Sequence, residues 1–358
     1  MPPLENSKQL DAASCRLFFI LSGEHLSLPA AEIMAILESE NIIYSHTKSS
    51  YRLLQLDASP KALQHVSDRS LMYDKCGFLL GECKADDKEI HQLIGNLQLD
   101  EYIAGATCFA VRSERLGGVK KDIKRTHLER SVGSLLKERA PNLRVRLKEP
   151  DLTFLCVIYE DSFLFGLTQH AKPSGPISRR RPRKRPVFHP STMPPKIARC
   201  MVNLSRARPG RFFADPFCGV GGIVIEATLI GCQVVAVDAS TRMLRGVRRN
   251  VAHFSLQASG IINGDARYLP FHGLDSIATD PPYGRDSSTR GVNVNHLINQ
   301  FLHGASSSMN RGAHLCISAP SEVQLADYAR DAGFQVKERH LARIHRSLTR
   351  QFIVAENR

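Results

Sequence analysis

The sequence lacks the patterns that would indicate a metal site or a disulfide framework. Its nine cysteines are scattered and odd in number, none forms a Cys-x-x-Cys pair, and no histidines fall in a His-Glu-x-x-His spacing. We therefore expect no bound metal, no disulfide framework and a reducing, cytoplasmic compartment.

Long hydrophobic runs and acidic residues are also in short supply. No apolar stretch approaches the ~20 residues needed to cross a bilayer, and we see no basic segment followed by a signal-like core at the start. Asp and Glu number 35 against 48 Lys and Arg, a net charge of +13. Such an excess favours an anionic partner, and without a membrane segment nucleic acid is the better candidate. The 358 residues are enough for two or three domains.

The first 80 residues alternate short apolar runs with amphipathic segments in the order β-α-β-β-α-β. This order is typical of a ferredoxin-like α+β unit. The predicted strands are 15–21, 42–44, 51–56 and 70–80, and the predicted helices are 27–37 and 60–66. Nothing in this unit indicates chemistry, so we interpret it as a positioning or packing module.

Residues 81–167 form a second predicted unit with a basic loop. A strand at 107–112 leads into a loop with two glycines between cationic residues, followed by a basic helix at 122–137. The candidates for phosphate contact are Arg112, Arg115, Lys120, Lys121 and Lys124. The alternative is a solvated cationic face. The run Phe109–Arg112 with Arg115 and the basic helix resembles the THUMP domain of RNA-modification enzymes, which implies a grip on the acceptor end of tRNA.

Residues 168–189 are predicted to be a basic linker that its prolines keep extended. Six cations occur within seven residues, namely Arg179, Arg180, Arg181, Arg183, Lys184 and Arg185. They repel one another unless an anion neutralises them, so we expect contact with an RNA backbone. A disordered basic linker or a localisation-type patch is the alternative.

The chemistry is predicted in the remaining residues, 190–358, where a strand, a glycine turn and a helix follow one another. The strand 212–215 ends at Asp215, and the next strand, 232–237, ends at Asp238. An acid at the second position can accept from both hydroxyls of a ribose. A dinucleotide site would have Gly-x-Gly-x-x-Gly and no preceding acid. Because Asp215 can bind an ammonium group, S-adenosylmethionine, with its amino acid portion and ribose, fits better.

Two further strands end in an acid. A strand at 261–264 ends at Asp265, whose carboxylate or neighbouring backbone could meet an adenine amino group, and the run 274–279 ends at Asp280. Ligands bind at the carboxyl ends of such strands. After Asp280, two prolines that cannot continue a strand and Tyr283 form a loop with hydrogen-bond acceptors and a ring, a set that suits a flat substrate bearing an amine.

Residues 190–358 resemble the class I, Rossmann-like methyltransferases, in which Asp-Pro-Phe-Cys-Gly-Val-Gly-Gly and Asp-Pro-Pro-Tyr are cofactor and catalytic motifs. The resemblance implies a seven-stranded sheet ending in an antiparallel hairpin, and a cofactor site that includes the segment before the helix 197–204. The implied cofactor-binding residues are Asp215, Phe217, Cys218, Gly219, Gly221, Gly222, Asp238, Ala239, Asp265, Ala266 and Thr192. The implied catalytic residues are Asp280, Pro281, Pro282 and Tyr283. The loop 284–291 is either a rim that closes on substrate or an ordinary exposed loop.

Taken together, the units resemble the archaeal-type tRNA (guanosine-10 N2)-methyltransferases. That resemblance implies methylation of the exocyclic N2 amine of guanosine in tRNA, at position 10. THUMP enzymes acting at guanosine-6 typically carry Asn where this chain has Asp280. A DNA amino-methyltransferase, a protein glutamine methyltransferase and a silent RNA-binding protein are weaker alternatives. The number of methyl groups, the choice of tRNA, the need for a small activating subunit and the oligomeric state stay open.

Overall fold

The computed structural model describes residues 14–117, 124–171, 175–283, 293–345 and 348–358. Those residues divide into two compact units. The first comprises the described residues within 1–24, 42–67 and 73–172, and the second those within 25–41, 68–72 and 173–358. Two segments of the N-terminal region therefore belong to the second unit.

The first unit is built on one eight-stranded sheet. Its strands are β1 Cys15–Leu21, β2 Tyr44–Ser50, β3 Leu53–Ala58, β4 Tyr73–Lys84, β5 Cys108–Leu116, β6 Arg144–Val145, β7 Leu152–Tyr159 and β8 Ser162–Ala171. Its helices are the larger part of α2 Lys61–Arg69, α3 Asp87–Asn96, α4 Asp100–Ile103 and α5 Arg125–Arg139.

The strand order of this sheet is β2-β3-β1-β4-β8-β7-β5-β6. Its first four strands are all antiparallel, which is the ferredoxin-like arrangement expected from the sequence. The strand predicted at 42–44 begins only at Tyr44, and Tyr51 and Arg52 form a turn instead of starting β3. Arg52 has φ +60, a left-handed conformation that suits a turn and not a strand.

Two predicted domain bounds fall inside strands of this sheet. The bound between residues 80 and 81 lies within β4, and the bound between 167 and 168 lies within β8. These two strands pair with each other, from Lys75 against Ala171 to Lys84 against Ser162. One sheet therefore runs through both of the predicted N-terminal domains. The division of this region into two separate domains stays a prediction.

The expectation of an extended linker at 168–189 is wrong. The segment contains α6 Gly175–Arg179 and a 3₁₀ turn, Pro182–Lys184. Prolines are tolerated in the first turn of a helix, where the N–H has no intrahelical partner. Pro182 takes such a position in the 3₁₀ turn.

The second unit contains a seven-stranded sheet in the order β11-β10-β9-β12-β13-β15-β14. Its strands are β9 Phe212–Asp215, β10 Gln233–Asp238, β11 Gly260–Asn263, β12 Leu274–Thr279, β13 Met309–Pro320, β14 Phe334–His345 and β15 Leu348–Asn357. The strands β9 to β13 are parallel, whereas β15 runs antiparallel to both β13 and β14. The predicted Rossmann-like sheet with its terminal antiparallel hairpin is confirmed.

Helices cover both faces of this sheet. They are α1 Leu28–Ser39, α7 Pro195–Leu204, α8 Gly222–Ile230, α9 Thr241–His253, α10 Val294–Ser308 and α11 Leu325–Asp331. One apolar cluster includes Ala31, Met201, Val224 and Val247, and a second includes Ile277, Ile298 and Leu325. Among the helices of the described residues, none is both long and apolar enough to cross a membrane.

Candidate active site

The strand register brings three of the predicted acids to one edge of the seven-stranded sheet. Ala236 of β10 lies opposite Asp215 of β9, so Asp238 follows two residues beyond it. Ile277 of β12 lies opposite Ala214, so Asp280 also follows just past the level of Asp215. The carboxyl ends of parallel strands form the usual ligand-binding edge of an α/β sheet.

The turn between β9 and α8 leaves an open surface at this edge. Gly219 and Gly221 have φ +50 and +89, conformations that L side chains rarely adopt. A Cβ on Gly219 would meet none of the described atoms within 4 Å. The backbone at Gly219 is thus free to approach a ligand closely.

Asp215 is a buried carboxylate for which the described residues supply no cationic partner. It is 1% exposed, and its Oδ1 accepts from the Thr279 hydroxyl at 2.8 Å. Burial raises the pKa of Asp215 to about 8. An ammonium group placed beside it would compensate this cost, which is the role that the sequence predicts.

Asp238 is held by the backbone on both sides. Gly219 N donates to its Oδ2 at 2.9 Å and Ser240 N to its Oδ1 at 2.8 Å. Each carboxylate oxygen carries a second lone pair, so the fixed group can still accept from hydroxyls. The geometry therefore fits a ribose diol, with the exposed Ala239 next in the chain.

Asp265 differs from the other acids, because a neighbouring arginine engages its carboxylate. Arg267 Nη2 lies 2.6 Å from Asp265 Oδ2, and Arg267 Nε contacts both carboxylate oxygens. The sequence left open whether the carboxylate or the backbone meets an adenine amino group. This ion pair favours the backbone of Asp265 and of the buried Ala266.

The remaining residues of the cofactor motif shape the turn and its surroundings. The Phe217 ring packs edge-on against Phe301 at 5.2 Å, and Cys218 N donates to Val237 O at 3.0 Å. Cys218 itself is 5% exposed, so its side chain supports the turn from inside. Thr192 Cγ2 would lie 3.4 Å from a Cβ on Gly222, which places the predicted segment before α7 against the start of α8.

Asp280 is fixed by two partners that the sequence analysis did not assign to the site. The Ser318 hydroxyl donates to its Oδ1, and Arg350 Nη1 donates to its Oδ2 at 2.7 Å. Burial raises the pKa of Asp280, and the charge of Arg350 opposes that rise. Arg350 thus favours the ionised carboxylate in a partly buried place.

Arg350 also contacts the ring of Tyr283, another predicted catalytic residue. Its guanidinium carbon lies 5.0 Å from the centre of that ring, within cation–π range. The Tyr283 hydroxyl is buried and has no hydrogen-bond partner among the described residues. Pro281 is buried and Pro282 half-buried beside it.

The sheet register explains why Ser318 and Arg350 meet Asp280. Thr279 lies opposite Ile317 in the parallel pair β12–β13, so Asp280 reaches the level of Ser318. Arg350 of β15 lies opposite Pro320 of β13, two residues further on. No local sequence pattern indicates either contact, because both depend on the pairing of strands that are far apart in the chain.

The predicted RNA-contacting cations fall into two groups. The exposed ones are Arg115, Lys124, Arg179, Arg181, Arg183 and Lys184, with Arg112 half-buried. Arg180 and Arg185 are a correction: Arg180 pairs with buried Glu226 at 2.8 Å, and Arg185 is 5% exposed. The two helical turns direct these two side chains inward, so RNA contact is not supported for them. Lys120, Lys121 and the rim 284–291 lie outside the described residues.

Comparisons with known proteins identify the domains and the fold of the chain. A profile of the THUMP domain matches residues 84–168, and a profile of the RMKL-like methyltransferase domain matches residues 182–351. The crystal structure of TrmN from Thermus thermophilus shares the fold, with a TM-score of 0.54, 20% identity, and coverage of 96% of this chain and 100% of that one. Fold and site define a THUMP-containing methyltransferase.

Sequence relatives narrow this class. A tRNA (guanine(10)-N2)-dimethyltransferase from Methanothermobacter thermautotrophicus is 36% identical over 95% of this chain and 99% of that protein. A tRNA (guanine(6)-N2)-methyltransferase from Thermus thermophilus is 29% identical over 60% of this chain and 63% of that protein. The chain belongs to the family of tRNA (guanine(10)-N2)-dimethyltransferases.

Proposed function

We propose that this protein methylates the exocyclic N2 amine of guanosine 10 in tRNA, adding up to two methyl groups. Membership of the family supports the substrate. The observation that carries the chemistry is Asp280, an acceptor fixed by Arg350 and Ser318 at the same sheet edge as Asp215 and Asp238.

S-adenosylmethionine supplies the electrophilic methyl group when it is bound. Asp215 would hold the ammonium group of that cofactor, Asp238 would hold the ribose hydroxyls, and the backbone near Ala266 would hold the adenine. The turn Phe217–Gly222 and Thr192 would contact the rest of the cofactor. Asp215 is buried and has no cationic partner among the described residues, which fits the ammonium group of such a ligand. The open surface at Gly219 fits its close approach to the backbone.

The residues after β12 act on the guanine. The N2 amine is a poor nucleophile because its lone pair is delocalised into the ring. A carboxylate oxygen of Asp280 and the carbonyl oxygen of Pro281 accept hydrogen bonds from its two N–H groups and direct the lone pair toward the methyl donor. This alignment of the reacting atoms supplies much of the acceleration. The amine becomes acidic as its new bond forms, and Asp280 then stabilises the charge or accepts the proton.

Tyr283 stacks on the base once the base has left its helix. The contact with Arg350 holds this ring in place. Pro282 stiffens the turn between the acceptor pair and the ring.

Tests of the reaction need nucleoside analysis. The protein would be incubated with labelled cofactor and either an unmodified tRNA transcript or duplex DNA. We expect N2-methylguanosine and N2,N2-dimethylguanosine from tRNA, and no product from DNA. Methylated adenine or cytosine in DNA would support the DNA amino-methyltransferase alternative. Label at guanosine 6 of the tRNA would support a guanosine-6 N2-methyltransferase instead.

Two groups of exposed cations are proposed to contact the tRNA backbone. In the first unit they are Arg115 and Lys124, with the half-buried Arg112, and in the second unit they are Arg179, Arg181, Arg183 and Lys184. Contact of Lys120 and Lys121 with tRNA stays a prediction, as does the cytoplasmic location.

A further inference from the structure

A buried arginine cluster lies beside the start of α8, and its charges do not balance. Glu226 is fully buried and accepts from Arg180 at 2.8 Å and from Arg199 at 2.9 Å. Arg185, 5% exposed, adds a third cation to this surrounding. Within the described part of the chain, one carboxylate therefore faces three guanidinium groups.

Arg185 is the member of this cluster whose Nη groups have no acceptor among the described residues. Its Nε donates to Arg180 O at 2.9 Å, which fixes the side chain. Neither Nη1 nor Nη2 has a hydrogen-bond partner within the described ranges, although both are buried. Burial also lowers the pKa of Arg185 to about 10. Buried charges are normally paired, so this geometry suits an anionic group bound beside Arg185.

The guanidinium of Arg185 is directed toward the start of α8. Arg185 Nη1 would lie 3.7 Å from a Cβ on Gly222, the first residue of α8. The backbone N–H groups at a helix start favour negative charge. Thr192 packs against the same glycine through its methyl group, and its buried hydroxyl has no hydrogen-bond partner among the described residues.

The segment that carries Arg185 is clamped onto the glycine turn. Asn250 Oδ1 accepts from Val187 N at 2.9 Å, and Asn250 Nδ2 donates to Val187 O and Val220 O. This side chain thus ties the chain two residues after Arg185 to the turn itself. Such a fixed position suits a small ligand and excludes a mobile RNA contact.

We propose that Arg185 binds the carboxylate of the amino acid portion of S-adenosylmethionine, with Thr192 as a second donor. The inference rests on the proposed function. Asp215 lies before the glycine turn and Arg185 points at the start of the helix that follows it, and no described residue forms a salt bridge with Asp215 or a hydrogen bond with the Nη groups of Arg185. The two together are complementary to a zwitterionic amino acid group, whose ammonium and carboxylate each find an opposite charge.

Calorimetric titration of the full chain with S-adenosylhomocysteine and with its decarboxylated analogue tests this assignment. We expect Arg185→Met to bind S-adenosylhomocysteine about 10- to 100-fold more weakly, because the variant cannot form the charge-assisted hydrogen bond. The same variant should bind the decarboxylated analogue with unchanged affinity. Arg183→Met, in an exposed neighbour, should bind both ligands as the unmodified chain does.

Thermal unfolding separates binding from a structural role. Arg185→Met removes a buried charge that shares Glu226 with two other arginines and whose Nη groups have no hydrogen-bond partner among the described residues, so the ligand-free variant should unfold at the same temperature or higher. An unchanged affinity for S-adenosylhomocysteine, or an equal loss for both ligands, would overturn the assignment while leaving the methyltransferase proposal intact. Failure of the unmodified chain to bind S-adenosylhomocysteine would reject the cofactor site and this assignment with it.

Discussion

Arg350 Nη1 donates to Asp280 Oδ2 across 2.7 Å and couples the last hairpin of the sheet to the Asp-Pro-Pro-Tyr motif. The two residues are 70 positions apart in the sequence. The same guanidinium also lies over the Tyr283 ring. Arg350 therefore orients both the proposed hydrogen-bond acceptor, Asp280, and the proposed stacking ring, Tyr283.

Removal of Arg350 should slow methyl transfer without loss of the cofactor site. We expect Arg350→Met to lower the single-turnover rate by about 100-fold, since small misplacements of reacting groups have effects of this size. Arg350 opposes the raised pKa of Asp280, so its removal raises that pKa further. The acid limb of the pH–rate profile should therefore move to higher pH. Arg339→Met, in an exposed residue of the same hairpin, is the control; an unmoved acid limb in Arg350→Met would contradict the coupling.

Asp280→Asn should keep the shape of the site and remove the charge. We expect the rate of transfer to fall by about 10²- to 10⁴-fold, the range for removal of an acid–base or charge-stabilising group. S-adenosylhomocysteine affinity, measured by titration, should stay within a few-fold of the unmodified chain. A variant that transfers methyl groups at a near-normal single-turnover rate would show that Asp280 is not the acceptor.

Two variants of Tyr283 separate stacking from hydrogen bonding. The ring contacts Arg350, whereas the hydroxyl has no partner among the described residues. Tyr283→Phe should therefore retain most of the activity, and Tyr283→Ala should reduce it about 10-fold or more, in line with the energy of base stacking. A large reduction in the Phe variant would assign the hydroxyl a direct role and refute a purely stacking one.

Asp215 links cofactor binding to protons. Its pKa of about 8 lies above that of the unfolded chain, so the folded state binds the extra proton between about pH 4 and pH 8. The stability of the ligand-free protein should therefore fall as pH rises through that window, and Asp215→Asn should flatten the fall. Binding of an ammonium group requires the carboxylate, so cofactor binding at pH 7 should release a proton. Calorimetry in buffers of different ionisation enthalpy measures this release; its absence would exclude Asp215 as the ammonium partner.

The exposed cations of the basic segment should set the salt dependence of tRNA binding. Changing Arg179, Arg181, Arg183 and Lys184 to Gln should weaken binding and reduce the salt slope by about 1 for each phosphate that these side chains neutralise. A control that removes the same number of charges changes Arg311, Arg330, Arg339 and Arg358, all exposed elsewhere in the second unit. Equal slopes for the two variants would mean that the segment makes no specific contact with tRNA.

The sequence predicted that Asp215, Asp238 and Asp280 lie at one edge of the sheet, because the parallel strands all end at that edge and each carries its acid there. The positions of these three acids can be predicted without knowing which distant strands pair. The position of Arg350 cannot, since this residue reaches Asp280 through the antiparallel register of β15 against β13. Long-range strand pairing of this kind leaves no local pattern.

The basic segment shows a second limit. Six cations in a run look alike, and the repulsion argument assigned all of them to RNA. The local turns at 175–179 and 182–184 direct Arg180 and Arg185 inward, where one pairs with Glu226 and the other points toward Gly222. Only the backbone geometry separates these two from their exposed neighbours.

The position and identity of the modified nucleoside test the central claim most directly. Single-turnover methylation of an unmodified tRNA transcript, followed by nuclease mapping and mass spectrometry, should place N2-methylated guanosine at position 10. A transcript with adenosine at position 10 should gain no methyl group. Methylation of that transcript to the same extent, at guanosine 6 or at any other base, would contradict the assignment of this enzyme to guanosine 10.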